Sequence, residues 1–130
     1  MNDTAQPLSP QVTALLLIAH GSRHEAANAD TRLLAAELAK HGYPIAVAAF
    51  LELAEPDIDA GAKECVARGA TEVILLPHFL SEGVHVRRDL SAARARLAER
   101  YPAVKFALAE PIGPHPLLLQ VLIERAQEAK

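Results

Sequence analysis

The 130-residue chain has a single cysteine, one methionine, no tryptophan, and aromatic residues at only 4%. A lone Cys65 excludes an internal disulfide. Its Lys63-Glu64-Cys65-Val66 setting reads as a half-buried structural thiol on a helix, with no histidine beside it in sequence to make it a nucleophile. With so few rings, the core has to be built from Ala, Leu, Val and Ile, which suits helices packed on a parallel sheet. Long apolar runs are also missing: stretches such as Ala14 to Ala19 fall far short of the roughly 18 residues that cross a bilayer, so no membrane is expected. Residues 1–13 are polar, carry two prolines and lack a basic start. They are expected to form a flexible tail, not a secretory signal, ahead of one domain over 14–130. With a single cysteine, this favours a cytoplasmic protein.

An excess of positive charge is lacking too. Thirteen Lys and Arg face sixteen Asp and Glu, for a net charge of −3, and no basic stripe stands out, which argues against nucleic acid as a partner. No Gly-x-x-x-x-Gly-Lys loop occurs, and no two glycines are close enough for a Gly-x-Gly-x-x-Gly fingerprint, so nucleotide use is not expected. His20-Gly21-Ser22 superficially matches the Arg-His-Gly of histidine phosphatases, but Ala19 stands where the arginine is required. Ser22 lacks the Gly-x-Ser-x-Gly frame of a hydrolase elbow.

What is present is alternation. Apolar runs at Ala14 to Ala19, Ile45 to Leu51, Glu72 to Pro77 and Val104 to Ala109 read as strands covered on both faces. Between them lie helical patterns. The first runs from about Glu25 to His41 with Ala26, Leu34 and Leu38 on one face; the second opens at Pro56 and closes at Gly69. A third covers about Asp89 to Arg100 with Leu90, Ala93 and Leu97 aligned, and Pro114 and Pro116 introduce a fourth, on which Leu118, Val121 and Leu122 share a face. Four β-α units in a row predict an α/β, single-domain, doubly wound four-stranded parallel sheet, flavodoxin-like, in the order 2-1-3-4. Its topological switch then falls between the first and third strands.

Ligands of such sheets bind beyond the carboxyl ends of the strands. There the chain places His20 after the first strand, Glu52 after the second, His78 after the third and Glu110 after the fourth, with His85 in the loop following the third. His20 and His85 would flank the switch, with Glu52 on the neighbouring strand. Two imidazoles and a carboxylate form a candidate site for a first-row divalent metal that must later be released. Arg23, Arg87 and Arg88, beside these histidines, are candidate clamps for carboxylates. Ser22 and the backbone around Ser81 and Gly83 are candidate hydrogen-bond donors. His24 at a helix start, His41 at a helix end and His115 between prolines are assigned no chemistry, and His78 reads as structural.

The segments Ala19-His20-Gly21-Ser22-Arg23, Phe50-Leu51-Glu52-Leu53-Ala54-Glu55-Pro56, Pro77-His78-Phe79-Leu80-Ser81-Glu82-Gly83-Val84-His85 and Glu110-Pro111-Ile112-Gly113 together resemble the small CbiX-type sirohydrochlorin chelatases, from about Leu15 to Arg125. The resemblance implies a class II chelatase that inserts Co2+ or Fe2+, with Ni2+ also open, into sirohydrochlorin without ATP, on the way to cobalamin or sirohaem. It implies no cofactor beyond that substrate metal. His20 and His85 match the family's paired histidines and Glu52 a strand-end acid. Small members act as homodimers, which implies a cleft shared between two subunits. A non-catalytic metal or tetrapyrrole carrier would use the same histidines, and a phosphoryl-transfer enzyme at Gly21-Ser22 is the weakest alternative.

Overall fold

A computed structural model describes residues 10–130. In chain order it contains β1 (Thr13–Ala19), α1 (Glu25–Ala39), β2 (Ile45–Phe50), α2 (Ile58–Ala67), β3 (Glu72–Pro77), α3 (Val84–Arg100), β4 (Lys105–Leu108) and α4 (Pro116–Glu128). All strand pairs are parallel and the order is β2-β1-β3-β4, so the expected α/β sheet with its switch between β1 and β3 is the observed one. Residues 1–9 of the expected tail lie outside the described residues. Val12, inside the expected tail, is already tied to the body: its amide donates to Thr71 Oγ1 at 2.8 Å and its carbonyl accepts from the Thr71 amide at 2.8 Å.

Alternation along β1 divides the core. Ala14, Leu16 and Ile18 join Ala62 and Cys65 of α2 and Leu90, Ala93 and Leu97 of α3 on one face; Leu17 joins Ala35 of α1, Ala48 and Phe50 on the other. Full burial of side chains such as Leu16, Ile18 and Leu90 contributes about 1.5–3 kcal/mol each. Cys65 is fully buried, not half-buried, and burial foremost, with the neighbouring Glu64 adding, pushes its thiol up to about 11. That supports the structural reading of this residue.

Three helices differ from expectation for identifiable reasons. The inward face of α1 is Asn28, Thr31 and Ala35, with Leu38 half-buried, while Ala26, Leu33 and Leu34 are exposed. The helix thus buries polar groups that find local partners and leaves leucines in solvent. Helix α2 begins at Ile58, capped by Asp57, whose carboxylate accepts from the Ala60 amide at 2.8 Å; Pro56 precedes the cap, and its carbonyl accepts from the Phe50 amide instead. Helix α3 starts at Val84 and not near Asp89, because Val86 extends the Leu90, Ala93, Leu97 face one turn backwards. Helix α4 starts with Pro116 at its first position behind His115, whose ring nitrogen accepts from the Leu117 amide at 3.1 Å. No residue of α4 is buried, and Leu117, Leu119, Val121, Leu122 and Ile123 are all exposed.

Candidate active site at the carboxyl edge of the sheet

Hydrogen bonding between β1 and β2 continues past the strand ends. The Leu51 amide donates to Ala19 O and the Glu52 amide to His20 O, both at 3.0 Å, so two of the three expected metal-handling residues leave the sheet side by side. Gly21 makes this possible: its φ is +92°, and a Cβ there would lie 1.7 Å from the Glu52 carbonyl oxygen. No side chain fits at that crossing.

The His20 ring turns the other way, toward β3. Its centroid is 4.5 Å from that of the buried Phe79, with the planes tilted by 51°. His20 therefore spans the switch point, with its backbone paired to the β2 side and its imidazole resting on the residue that follows β3. Asn28 holds the loop from below: its Oδ1 accepts from the Ser22 amide at 2.9 Å and its Nδ2 donates to Ser22 O at 2.8 Å. The Ser22 hydroxyl oxygen accepts from the His24 amide at 3.0 Å, which supports the turn and leaves its O–H available to donate. Glu25 also accepts from Asn28 Nδ2, at 3.2 Å, and pairs with Arg32; the Arg32 bond, then that of Asn28, holds the Glu25 carboxyl below its ordinary value. Arg32 further caps the Phe50 ring at 5.2 Å and donates to Glu55 O at 3.2 Å, linking α1 to the loop that carries Glu52.

Two cavities flank α3. The first, of about 530 Å³, is lined by His20 and Glu52 together with Leu51, Val86, Asp89 and Arg96. Its rim is closed by Arg96, which donates to both carboxylate oxygens of Asp59 at 3.1 to 3.3 Å and so ties α3 to α2. The second, of about 570 Å³, gathers four of the six expected substrate-binding residues, Ser81, Gly83, Arg87 and Arg88. Ser22 and Arg23 line neither.

His85 occupies the first turn of α3 and not a loop. It is exposed, and it stands between Val84, which lines the second cavity, and Val86, which lines the first. Among the described residues no three His, Cys, Asp or Glu side chains stand close enough to hold an ion together, so His20, Glu52 and His85 do not form a ready-made three-ligand cage. Arg87 is already occupied by Glu82, Glu110 and the Ala109 carbonyl, whereas Arg23 and Arg88 have no ion-pair partner among the described residues. His78 is half-buried, and its amide extends the β1–β3 ladder to Ile18 O at 2.7 Å.

Sequence reasoning passed over four residues of the site. Phe79 and Asp89 carried no signal apart from their neighbourhood. Asn28 lies on the inward stripe with Thr31 and Ala35, where a buried amide demands partners, but apolarity pointed to another face of the helix. Gly21 follows a strand and precedes a helix, the usual place for a backbone that only glycine adopts.

No helix among the described residues is long and apolar enough to cross a membrane. A chloroplastic sirohydrochlorin ferrochelatase of Arabidopsis thaliana is 36% identical over 118 residues, covering 87% of this chain and 51% of that protein. A sirohydrochlorin cobaltochelatase of Sulfolobus acidocaldarius is 35% identical over 115 residues, covering 88% of this chain and 90% of that one. The crystal structure of the sirohydrochlorin chelatase SirB from Bacillus subtilis subspecies spizizenii in complex with cobalt superposes with a TM-score of 0.82 at 30% identity, over 91% of this chain and 51% of that one. The chain thus spans about half the length of the plant relative and of SirB, and nearly all of the archaeal one. The CbiX family model matches residues 14–129, from β1 through the end of α4 and including both cavities, and the chain belongs to the CbiX family.

Proposed function

We propose that this chain is a metal chelatase that inserts Co2+ or Fe2+ into sirohydrochlorin without ATP, in cobalamin or sirohaem biosynthesis. The observation that carries this reading is the position of His20, held between the Glu52 amide and the Phe79 ring at the switch point of a sheet whose relatives are named sirohydrochlorin ferrochelatases and cobaltochelatases.

Insertion exchanges two pyrrolic N–H protons for one divalent ion, so the site needs neutral bases that also bind metal. Imidazole performs both tasks near neutral pH. His20 and His85 are the proposed metal-handling bases and Glu52 the proposed charge partner. An open donor set suits a metal in transit, because the remaining coordination positions belong to the tetrapyrrole nitrogens that take the ion over. Imidazole and carboxylate accept Co2+, Fe2+ and Ni2+ alike, and the donor set leaves the metal to availability. Arg88 and the uncapped start of α3 at Gly83, with Ser81 and Arg87 beside them in the second cavity, are the proposed anchors for the carboxylates of the macrocycle, and Arg23, outside both cavities, is a further one.

The cleft is proposed to be shared by a homodimer in the cytoplasm. Helix α4 presents an exposed apolar face that is continuous with a third cavity of about 580 Å³ lined by Leu80, Leu118, Val121 and Leu122. Relatives twice as long have room for a second lobe where this chain would use a second copy.

The deciding experiment mixes the apo-protein with excess sirohydrochlorin and Co2+ or Fe2+ and follows the absorbance of the metallated product. Many turnovers per subunit are expected. A plateau at one equivalent would replace the enzyme by a tetrapyrrole or metal carrier.

A further inference from the structure

Arg87 divides its guanidinium between two unlike acids. Its Nη1 donates to Glu82 Oε1 at 3.3 Å and to the Ala109 carbonyl at 3.1 Å, while Nη2 donates to Glu110 Oε2 at 3.1 Å. The Glu82 side chain is 4% exposed and its Oε2 has no hydrogen-bond partner among the described residues; that of Glu110 is 84% exposed. Both acids line the second cavity, next to Arg88 and the start of α3. That helix has no side-chain cap at Gly83 and no acid in its first turn, so its free N–H groups add positive potential to the same wall.

We propose that Glu110 is a specificity-determining placeholder: its carboxylate occupies on Arg87 the seat of a substrate carboxylate, which displaces it on binding. This rests on the chelatase reading only in taking the ligand to be a polycarboxylate tetrapyrrole. The two acids differ in what it takes to remove them. An exposed monodentate pair is weak and screened, so Glu110 swings into water at little cost. Glu82 cannot follow, because a buried carboxylate without its cation is strongly unfavourable. Glu82 Oε1 and the Ala109 carbonyl both stay on Nη1 when Glu110 leaves, so Arg87 keeps facing the cavity with Nη2 free. An incoming carboxylate inherits an arginine already oriented. A ligand that brings no carboxylate to Arg87 is disfavoured only by the few-fold that such an exposed pair supplies.

The test reads binding without metal, so it is independent of turnover. A metal-free porphyrin bearing eight carboxylates is titrated, by fluorescence quenching, into the full chain and its variants. Glu110→Gln is expected to tighten Kd by about 1.5- to fivefold, the span of an exposed ion pair. Glu99→Gln, which removes the same charge from the last turn of α3, is expected to leave Kd unchanged. In an Arg87→Gln background, which keeps an N–H donor beside Glu82, Glu110→Gln should have no effect. Equal tightening by Glu99→Gln, or no tightening by Glu110→Gln, overturns the proposal without depending on how well the Arg87 variant folds. Failure of the chelatase reading would show separately, as porphyrin binding with the expected variant pattern but no metal insertion.

Discussion

Gly21 crosses the carbonyl of Glu52 so closely that a methyl group on its α-carbon would stand 1.7 Å from the oxygen. The two loops that carry His20 and Glu52 are thus set by backbone contact and not by the side chains proposed to do the chemistry. Gly21→Ala combines a positive φ with this overlap. It should lower stability by about 2 to 4 kcal/mol and abolish insertion. Thermal unfolding and the absorbance assay together check this, and a variant with native midpoint and rate would mean that the loops are free to separate.

His20 and His85 are both exposed, so their replacement by alanine should leave the unfolding midpoint within a degree or two while insertion falls by roughly 100-fold or more. Glu52→Gln, equally exposed, should give a smaller loss. An unimpaired rate in either histidine variant, with the chain folded, would remove that residue from the proposed mechanism.

Asn28 joins two backbone groups of Ser22 to α1 through one buried amide. Asn28→Ala leaves those groups without their partner, and a cost of about 1 to 3 kcal/mol is expected, with a rise in the Michaelis constant as the His20 loop loosens. Denaturant unfolding gives the first number and steady-state kinetics the second. An unchanged midpoint would show that water replaces the amide.

The apolar face of α4 is the proposed contact between subunits. Leu122→Glu places a charge in that face without touching either α3 cavity, so it should yield a monomer by light scattering together with loss of insertion per subunit. A wild-type chain that is monomeric at tens of micromolar, yet fully active, would contradict the shared cleft.

Burial raises the Cys65 thiol to about 11, so the folded chain keeps this proton where the unfolded chain, with an ordinary thiol near about 8.5, has lost it. The associated stability is whole below that ordinary value and is lost as pH climbs toward about 11. Compared with Cys65→Ala, the wild type should lose on the order of 3 kcal/mol more over that interval. A disulfide reagent at pH 8 should leave the native thiol untouched. Rapid labelling of the folded chain would indicate local opening of α2.

Much of this architecture was legible because the strands are short apolar runs that stop at His20, Glu52 and Glu110, so reading the runs located the residues beyond them. The α1 face was misread because apolarity pointed to Leu34, whereas the buried stripe holds Asn28 and Thr31, whose polar groups are satisfied by Ser22 and by the Ala27 carbonyl. The start of α3 was missed because Val84 to Arg88 mix charge and β-branching ahead of the clear Leu90 to Leu97 pattern. Nor was the engagement of Arg87 visible, since Glu110 lies 23 residues away and meets it only through the β3–β4 pairing.

The split between the two α3 cavities has a consequence for variation. The proposed metal-handling pair His20 and Glu52 stands on one wall of α3 and most of the proposed macrocycle anchors on the other, with His85 between them. Exchanging the turn after β4 among relatives should therefore retune macrocycle recognition while the His20–Glu52 pairing stays intact, so that new specificities arise by recombination instead of by simultaneous change.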